Sequence, residues 1–491
     1  MGRVGITFCP GKHQSDAMSG TWSRDLDTDL NAIENWGAAA VVTLIETQEI
    51  VVLGVTSISD AVTSRNMSWY HLPIPDVTAP NFKFEKQWLV LGAELRDLLS
   101  AGFDVLVHCK GGLGRAGMIA ARLLIELGWK PEAAISEVRK VRPGAIETSD
   151  QERHLQTVER IAPIQSSSPA SFGDKCLGAL IGLAVGDAIG TTVEFKSRDT
   201  YPKLTNMIGG GPFKLQPGEW TDDTAMALAL TDSLIQQGQL DQTDLMQRFV
   251  AWWRQGDYSC TGSCFDIGIT TSNALEQFET TGDPHSGSDD PFSAGNGALM
   301  RLAPVVLHWF GTNSDDPAEL AELARQQGAV THAATTSLEA CAAYAEIMRF
   351  AVTAPHKNAV LDHAGNLKFG PEVNHILAGS WRGKHRRDIQ SSGFVLHSLE
   401  AALWCFARTS NFRDAVLLAA NLGDDADTTA AITGQLAGAY YGREQIPEEW
   451  RATLAWSDKI EAMGRALLAG RDAVLTLPCQ WPLDIQMRSY D

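Results

Sequence analysis

The 491-residue sequence is poor in cysteine, in extended apolar stretches and in positive charge. Its eight cysteines are irregularly spaced, which excludes a disulfide framework and the usual zinc spacings. We find no apolar run of the roughly 18 residues that a membrane-spanning helix needs. The first residues, MGRVGITFCPGKH, lack the apolar core of a signal peptide. These absences predict a cytoplasmic protein that does not enter a membrane.

The shortage of basic residues is marked, because 40 Lys and Arg face 59 Asp and Glu, for a net charge of −19. Most of the acid excess follows residue 165. Such a surface repels a phosphate backbone and argues against nucleic acid as a partner. The length exceeds one ordinary hydrophobic core and predicts two or three domains.

The chain divides into two regions that differ in composition and in hydrophobic pattern. Residues 1–162 alternate short apolar runs (38–45, 67–74, 103–109) with helical ones (81–102, 131–142, 149–162), which predicts an α/β domain around a mainly parallel sheet. A Ser/Pro-rich stretch at 163–173 is the predicted linker. Residues 174–491 are rich in Ala and Leu at helical spacing, with small residues that allow close packing, and predict an all-α domain.

The run HCKGGLGR at 108–115 carries the chemistry of the first region. A Gly-rich loop between a strand and a helix turns its backbone amides toward one point, where they bind a phosphate. The same field favours a cysteine thiolate, which is the nucleophilic form of Cys109. Arg115 adds a planar fork that matches two phosphoryl oxygens.

This loop, with YHLPIPDVTAP at 70–80 and GAIETSDQERHL at 144–155, resembles the dual-specificity branch of the protein tyrosine phosphatases, and most of all its kinase-associated type. The resemblance implies a two-step reaction through a cysteinyl-phosphate. Cys109 would attack, Arg115 would stabilise the transition state and Asp76 would act as acid and then base. The remaining implied site residues orient the loop, bind the phosphate or place the water: His108, Lys110, Gly111, Gly112, Gly114 and Gln151.

Three points at this site stay open. Asp76 is alternatively a plain turn residue after a proline, and Gln151 a surface helix residue. The family usually has Ser or Thr after the arginine, and here the residue is Ala116. That change predicts slower hydrolysis of the phosphoenzyme, with the attack by cysteine retained.

Two acidic clusters stand apart in the second region, at 221–224 (TDDT) and 424–428 (DDADT). Carboxylates and hydroxyls are hard oxygen ligands that suit Mg²⁺, Mn²⁺ or Ca²⁺ and not Zn²⁺. Brought together, the clusters would hold a pair of cations that bind neighbouring substrate hydroxyls and activate a water. The alternative for TDDT is helix capping, since Thr and Asp are favoured at helix starts.

Five segments of this region resemble the ADP-ribosylglycohydrolase family: 182–195, 220–230, 295–305, 331–334 and 421–442. The resemblance implies an all-α fold with two Mg²⁺ ions, or Mn²⁺, in a cleft, and removal of ADP-ribose from arginine, serine or another acceptor. The implied metal ligands are Thr221, Asp222, Asp223, Asp425, Asp427 and Thr428. Glu194 is the implied catalytic glutamate, which reaches the metal site and helps handle water or gate the cleft, and the implied substrate contacts are Asp187, Asn296 and His332.

Several of these assignments have structural alternatives. Glu194 as a solvated loop acid, Asp187 as a helix-end residue and His332 as a structural histidine remain open. Asp424 stands where the family usually has glycine, and it either adds a ligand beside the metals or points outward.

The leading hypothesis is a bifunctional hydrolase that cleaves a phosphomonoester with one domain and the glycosidic bond of an ADP-ribosyl unit with the other. Its expected partners are ADP-ribosylated and phosphorylated proteins or small molecules. One alternative is a hydrolase of small ADP-ribose phosphates. Another is a protein that binds ADP-ribose and phospho-ligands without turnover.

Overall fold

The first region contains a four-stranded parallel sheet. The structure, a computed structural model, describes residues 1–17, 20–161 and 170–470. The strands are β1 (Val4–Thr7), β2 (His13–Gln14), β3 (Trp22–Ser23), β4 (Ala38–Thr43), β5 (Ser68–His71) and β6 (Asp104–His108). The sheet has the order β1-β6-β4-β5, while β2 and β3 form a separate antiparallel pair.

Helices cover both faces of this sheet, as parallel strands require. They are α1 (Leu26–Trp36), α2 (Thr47–Val52), α3 (Ile58–Ser64), α4 (Phe82–Ser100), α5 (Gly114–Glu126), α6 (Pro131–Val141) and α7 (Ser149–Gln156). Side chains that accept from a backbone amide cap three of them: Asp25 begins α1, Asn81 begins α4 and Thr148 begins α7.

The register places the carboxyl ends of the four strands side by side. Thr43 lies between His108 on β6 and His71 on β5, and His108 also pairs with Thr7 on β1. Loops that follow parallel strands therefore meet at one edge, where α/β domains bind their ligands. Cys109 follows β6 directly at this edge.

The second region is helical, from α8 (Phe172–Gly190) onward. The others are α9 (Asp222–Gln237), α10 (Gln242–Gln255), α11 (Ile269–Thr281), α12 (Ala303–Gly311), α13 (Pro317–Ala329), α14 (Thr335–Thr353), α15 (Lys357–Asn366), α16 (Pro371–Leu377), α17 (Val395–Arg408), α18 (Phe412–Ala420), α19 (Ala426–Tyr441), α20 (Glu448–Thr453) and α21 (Ser457–Ala469).

The centre of this domain is a close crossing of α8 and α19. A Cβ built on Gly182 would lie 2.3 Å from the Gly434 carbonyl oxygen, and one on Gly434 would lie 2.0 Å from that of Gly182. The same relation repeats one turn away, where a Cβ on Gly178 would lie 2.3 Å from the Gly438 oxygen. Only glycine permits backbones to approach this closely.

Helix α8 also corrects one expectation from the sequence. The segment Phe172–Val193 spans 22 residues with mean hydropathy 1.7, so its length and composition alone would allow it to cross a membrane. Its apolar window is, however, 100% buried inside the protein. The prediction that no run reaches spanning length was wrong, and the burial identifies this helix as the core of the domain.

The predicted fold class, an α/β domain followed by a helical one, is confirmed. The predicted strands at 38–45, 67–74 and 103–109 correspond to β4, β5 and β6, and the three predicted helices to α4, α6 and α7. Residues 163–169 of the predicted linker lie outside the described residues, and α8 begins at Phe172, before the expected start at 174.

The two domains are in direct contact. Arg408, at the end of α17, donates hydrogen bonds of 3.4 Å to the carbonyls of Ala38 and Asn66, which lie at and just before the starts of β4 and β5. Asn358 Nδ2 donates to Asp97 Oδ1 at 2.8 Å. The rings of Phe103 and Trp404 meet edge-on at 6.4 Å. Buried polar groups with partners fix the orientation of one domain on the other.

We expect Gly182→Val to destabilise the helical domain, because the added side chain meets backbone that cannot rotate away. The loss should be at least about 3 kcal/mol, the upper part of the usual range for overpacking. Gly173→Ala is the matched control, since no atom lies within 4 Å of its added Cβ. Thermal unfolding monitored by circular dichroism measures both variants, and equal midpoints would contradict the role of the crossing.

Two candidate active sites

The first site is the loop that follows β6. Cys109 is 3% exposed, and the amide of Gly112 donates to its Sγ at 3.2 Å. Gly112 has φ of +70°, and a Cβ there would lie 2.5 Å from the amide nitrogen of Phe8. Arg142 holds the loop from outside, with bonds of 3.0 Å to the Gly112 carbonyl and 3.3 Å to that of Gly111. Arg142 therefore occupies the carbonyls of both glycines.

Arg115 lies beside this loop in a fixed orientation. Its two terminal nitrogens donate to the Glu49 carboxylate at 2.6 and 3.0 Å, and Nη1 also donates to the Ile74 carbonyl at 3.0 Å. Although burial opposes the charge, the hydrogen bonds from Arg115 hold the pKa of Glu49 below its usual range. Sequence reasoning missed Glu49, because its contact spans 66 residues and its local pattern is only that of a helix capping box.

Asp76 and Gln151 complete the mouth of the first site. Asp76 Oδ1 lies 2.9 Å from Arg115 Nη2, and its side chain is 57% exposed. Gln151 is fully buried, accepts from the Glu147 amide at 3.0 Å and donates to the Thr78 carbonyl at 3.3 Å. Gln151 is therefore a buried, hydrogen-bonded residue and not the surface helix residue that the sequence left open.

The other residues predicted for this site lie in the same loop or directly beside it. A Cβ on Gly114 would lie 3.1 Å from Gln151 Nε2, and nothing lies within 4 Å of one on Gly111. Lys110 is half-buried. Burial lowers the pKa of His108 to about 4, so its ring is neutral near pH 7. Ala116 is buried in the first turn of α5.

The second site brings the two acidic clusters together. Asp222 and Asp223 begin α9, Asp425 immediately precedes α19, and Asp427 lies in the first turn of α19. Carboxylate oxygens of Asp187, Asp223 and Asp427 lie within 4.8 Å of one another, as do those of Glu194, Asp425 and Asp427. Asp427 belongs to both groups.

The carboxylate oxygens of this site outnumber the hydroxyl hydrogens that can bond to them. The Thr221 hydroxyl lies 2.9 Å from Asp187 Oδ1 and 3.3 Å from oxygens of both Asp223 and Asp427. The Thr428 hydroxyl lies 3.5 Å from Asp223 Oδ2, while Asp223 Oδ1 is buried without a partner among the described residues. A single hydroxyl hydrogen satisfies one acceptor, so the set fits hard divalent cations.

The surrounding residues hold the cluster in shape. Asp187 is fully buried and accepts from the amides of Thr221 and Thr224 at 2.9 and 3.0 Å, which is the helix-end role left open by the sequence. Glu194 Oε2 accepts from the amides of Ala426 and Asp427 at 2.6 and 3.1 Å. Glu194 thus fixes the start of α19 and is 3% exposed, unlike a solvated loop acid.

Asn296 and His332 lie at different depths of this site. Asn296 Nδ2 donates to Asp425 Oδ2 at 2.6 Å and to Ser398 Oγ at 2.8 Å. His332 is 4% exposed, its Nδ1 pairs with Thr331 Oγ1 at 2.8 Å, and a Cβ on Gly297 would lie 2.7 Å from its ring. These contacts agree with the structural alternative for His332, which packs beneath the 295–297 segment.

Asp424 lies with its side chain exposed and its backbone at φ of +57°. Its amide donates to the Lys196 carbonyl at 2.9 Å, and its carbonyl accepts from Phe195 at 2.8 Å. Of the two alternatives for this residue, the outward one is observed. The backbone bonds tie the start of α19 to the segment of Glu194.

Burial and mutual repulsion oppose ionisation across the cluster. They raise the pKa of Asp187, Asp425 and Asp427 to about 7, and the pKa values of Asp222, Asp223 and Glu194 rise as well. Asp266, with its pKa raised to about 6, shares a side-chain hydrogen bond with Asp427. Sequence reasoning missed Asp266, a single acid in a loop with no clustered neighbour.

Comparisons with known families agree with this division. A family model described as ADP-ribosylglycohydrolase matches residues 168–475, which is more than half of the chain. A second, described as the DSP-PTPase phosphatase domain of Swiss Army Knife proteins, matches residues 17–155. Members of the first family are metal-dependent, in keeping with the acidic groups at the second site.

Relatives of the helical domain have named activities. An ADP-ribosylarginine hydrolase Tri1 of Serratia proteamaculans is 45% identical over 60% of this chain and 79% of its own. The ADP-ribosyl-[dinitrogen reductase] glycohydrolase of Rhodospirillum rubrum is 34% identical over 58% and 91%. A solved structure titled ADP-ribosylglycohydrolase-related protein complex matches with TM-score 0.54 and 39% identity over 61% and 99%. The chain belongs to the ADP-ribosylglycohydrolase family and carries a dual-specificity-type phosphatase domain ahead of that domain.

Proposed function

We propose that the chain is a bifunctional hydrolase that removes ADP-ribose from modified arginine with the help of two Mg²⁺ ions and hydrolyses phosphomonoesters through Cys109. The observation that carries the first activity is the convergence of Glu194, Asp223, Asp425 and Asp427 from three separate parts of the chain. Arginine as the acceptor is supported by two relatives named ADP-ribosylarginine hydrolases, at 45% and 44% identity.

The two groups of carboxylates would each hold one cation, with Asp427 shared between them. When bound, such ions polarise neighbouring ribose hydroxyls and the attacking water. Thr221 and Thr428 would add neutral oxygens to the same positions. Asn296 fixes Asp425 by donating to Oδ2, so that carboxylate keeps one orientation.

Glu194 is placed to take the proton of the attacking water. Its Oε2 accepts from the amides of Ala426 and Asp427, which fixes the carboxylate beside Asp425 and Asp427. The water oxygen then bonds to the anomeric carbon as the bond to the arginine nitrogen breaks, and the proton taken up by Glu194 passes to that leaving nitrogen. A general base needs to lie within hydrogen-bond reach of the reacting water in its ionised form. Burial and Asp427 raise the pKa of Glu194, and cations held by the same group of acids would offset that effect and keep it ionised.

In the phosphatase reaction, Cys109 Sγ forms a bond to phosphorus while the ester oxygen leaves with a proton from Asp76. Arg115 Nε is buried without a partner among the described residues and is the donor available to a phosphoryl oxygen. Asp76, released from Arg115 Nη2 by the phosphate, is then free to act as the acid. In the second step, Asp76 takes a proton from a water that Gln151 places, the water oxygen bonds to phosphorus, and the S–P bond breaks to release phosphate and the Cys109 thiolate.

Single substitutions should separate the two activities. Cys109→Ser should reduce phosphate release by at least about a thousandfold, because the alkoxide is not accessible at neutral pH. Asp223→Asn should do the same to ADP-ribose release and spare phosphate release. Assays of both products on both variants give the result, and loss of both activities in either variant would refute independent sites.

The raised pKa values predict how a divalent cation changes stability with pH. Asp187, Asp425 and Asp427 bind more protons folded than unfolded, so without metal the domain loses stability as the pH rises from about 4 through about 7. Mg²⁺ should bind best once these groups ionise. The increase in thermal midpoint on adding Mg²⁺ should therefore be small near pH 5 and several degrees near pH 8.

The control for this experiment is Asp427→Asn, which removes the charge shared by both groups. It should abolish most of the Mg²⁺ effect near pH 8. A gain in midpoint of equal size at both pH values, or one that the variant retains, would contradict metal binding at the cluster.

Acceptor preference is tested by release of ADP-ribose from arginine-linked, serine-linked and free substrates, with Mg²⁺ and then with a chelator. We expect the arginine linkage to be cleaved at least about tenfold faster, a difference of about 1.4 kcal/mol in transition-state binding. Faster cleavage of the serine linkage would overturn the proposed acceptor. Tight binding of ADP-ribose without turnover would favour the alternative of a binding protein.

A further inference from the structure

A row of hydrogen bonds crosses three strands next to the nucleophile. Trp69 Nε1, on β5, donates to Thr43 Oγ1 on β4 at 2.9 Å. Thr43 Oγ1 lies 2.8 Å from His108 Nε2 on β6. Thr43 and His108 are both 0% exposed, and neither the function described above nor the loop motif assigns a role to Thr43 or Trp69.

The donor and acceptor properties of the three side chains determine which atom donates in each of these hydrogen bonds. An indole N–H donates only, so Thr43 Oγ1 accepts from Trp69. The imidazole of His108 is neutral near pH 7 and carries one proton. The hydroxyl has one hydrogen, and donating it to Nε2 leaves the ring proton on Nδ1. Among the described residues, His108 Nε2 is the acceptor within reach of that hydroxyl hydrogen, and we assign this tautomer on that ground.

The ring proton matters because of what lies on the other side of His108. Nδ1 is buried without a well-formed hydrogen bond among the described residues, and the Cys109 backbone is the main-chain group that interacts with this ring. A protonated Nδ1 attracts the Cys109 carbonyl and fixes that peptide. The amide of Gly112, which donates to the sulfur at 3.2 Å, is held in the same loop.

We propose that Thr43 and Trp69 are positioning residues of the phosphatase reaction, which set the tautomer of His108 and so keep the Cys109 loop shaped around its sulfur anion. This inference rests on the proposed cysteine-dependent phosphatase activity. It adds two residues that lie outside the loop, on strands that contact the glycohydrolase domain through Arg408.

Other charged and titratable groups face His108 and Cys109 from the neighbouring elements. They are His71 on β5, Glu49 on α2, Asp76 before α4, Lys110 in the loop itself, Arg115 on α5, and Cys9 and Lys12 in the segment after β1. None of them contacts Thr43 Oγ1 among the described residues. A change confined to the Thr43 hydroxyl therefore leaves these charges in place.

Packing alone does not require the two polar atoms. Valine matches threonine in shape, so Thr43→Val removes only the hydroxyl and leaves His108 Nε2 buried without its donor, which is a costly arrangement. Trp69 stacks on His71 at 5.4 Å between ring centres and borders a cavity of about 580 Å³ between the domains. That space tolerates Trp69→Phe, which removes the indole donor.

The test measures the reactivity of Cys109 itself. Full-length protein is treated with iodoacetamide at a series of pH values, and alkylation of Cys109 is followed by peptide mass spectrometry. Thr43→Val should move the midpoint of the rate profile upward and slow alkylation near pH 7 by about three- to tenfold. The acid limb of kcat/KM for p-nitrophenyl phosphate should shift in the same direction. Thr43→Ser should restore both, and Trp69→Phe should cause a smaller shift.

Thr63→Val is the matched control, because within the part of the chain that the structure describes this exposed hydroxyl on α3 bonds only to helix carbonyls, at 2.9 and 3.3 Å. Its profile should equal that of the wild type. An unshifted Thr43→Val profile, or equal shifts for Thr43→Val and Thr43→Ser, would overturn the proposal. If Thr43→Val fails to fold, an unshifted Trp69→Phe profile overturns it instead. Absence of phosphatase turnover in the wild type would overturn the proposed function. Alkylation of Cys109 would still test whether Thr43 and Trp69 position His108.

Discussion

The close approach of α8 and α19 is the constraint on which the acidic site of the helical domain depends. Glycines at Gly178, Gly182, Gly434 and Gly438 let the two backbones touch, and this contact brings the end of one helix to the start of the other. Glu194 then reaches the first amides of α19, while Asp187 reaches the first amides of α9. Helix starts carry partial positive charge, which offsets part of the repulsion among the buried acids.

In the phosphatase site, a parallel sheet brings distant residues together, as the helix crossing does in the other domain. Parallel strands end together, so the Cys109 loop, the segment carrying Asp76 and the helix carrying Glu49 meet at one edge. Each site buries charged groups that lose hydration there, and each holds them with backbone amides and buried partners. Arg408, at the end of α17, connects the two domains because it donates to backbone carbonyls at the starts of two phosphatase strands.

The sequence predicted those parts of the molecule that depend on local spacing. The loop from His108 to Arg115 and the two acidic clusters follow from short motifs, and the larger strands and helices follow from apolar periodicity. Groups that act across long separations were missed, among them Glu49 on Arg115 and Asp266 beside Asp427. Nothing in a single acid reveals which distant charge it will meet. The outward direction of Asp424 and the full burial of α8 likewise depend on packing, and packing is a property of the whole fold.

The central claim is that the acidic clusters form one site for two cations, and locating the ions tests it most directly. Crystals grown or soaked with Mn²⁺ give an anomalous difference map in which each bound ion is a separate peak. The account predicts two peaks, one between Asp223 and Asp427 and the other among Glu194, Asp425 and Asp427. A map without peaks at these carboxylates, in crystals whose activity depends on Mn²⁺, would contradict it.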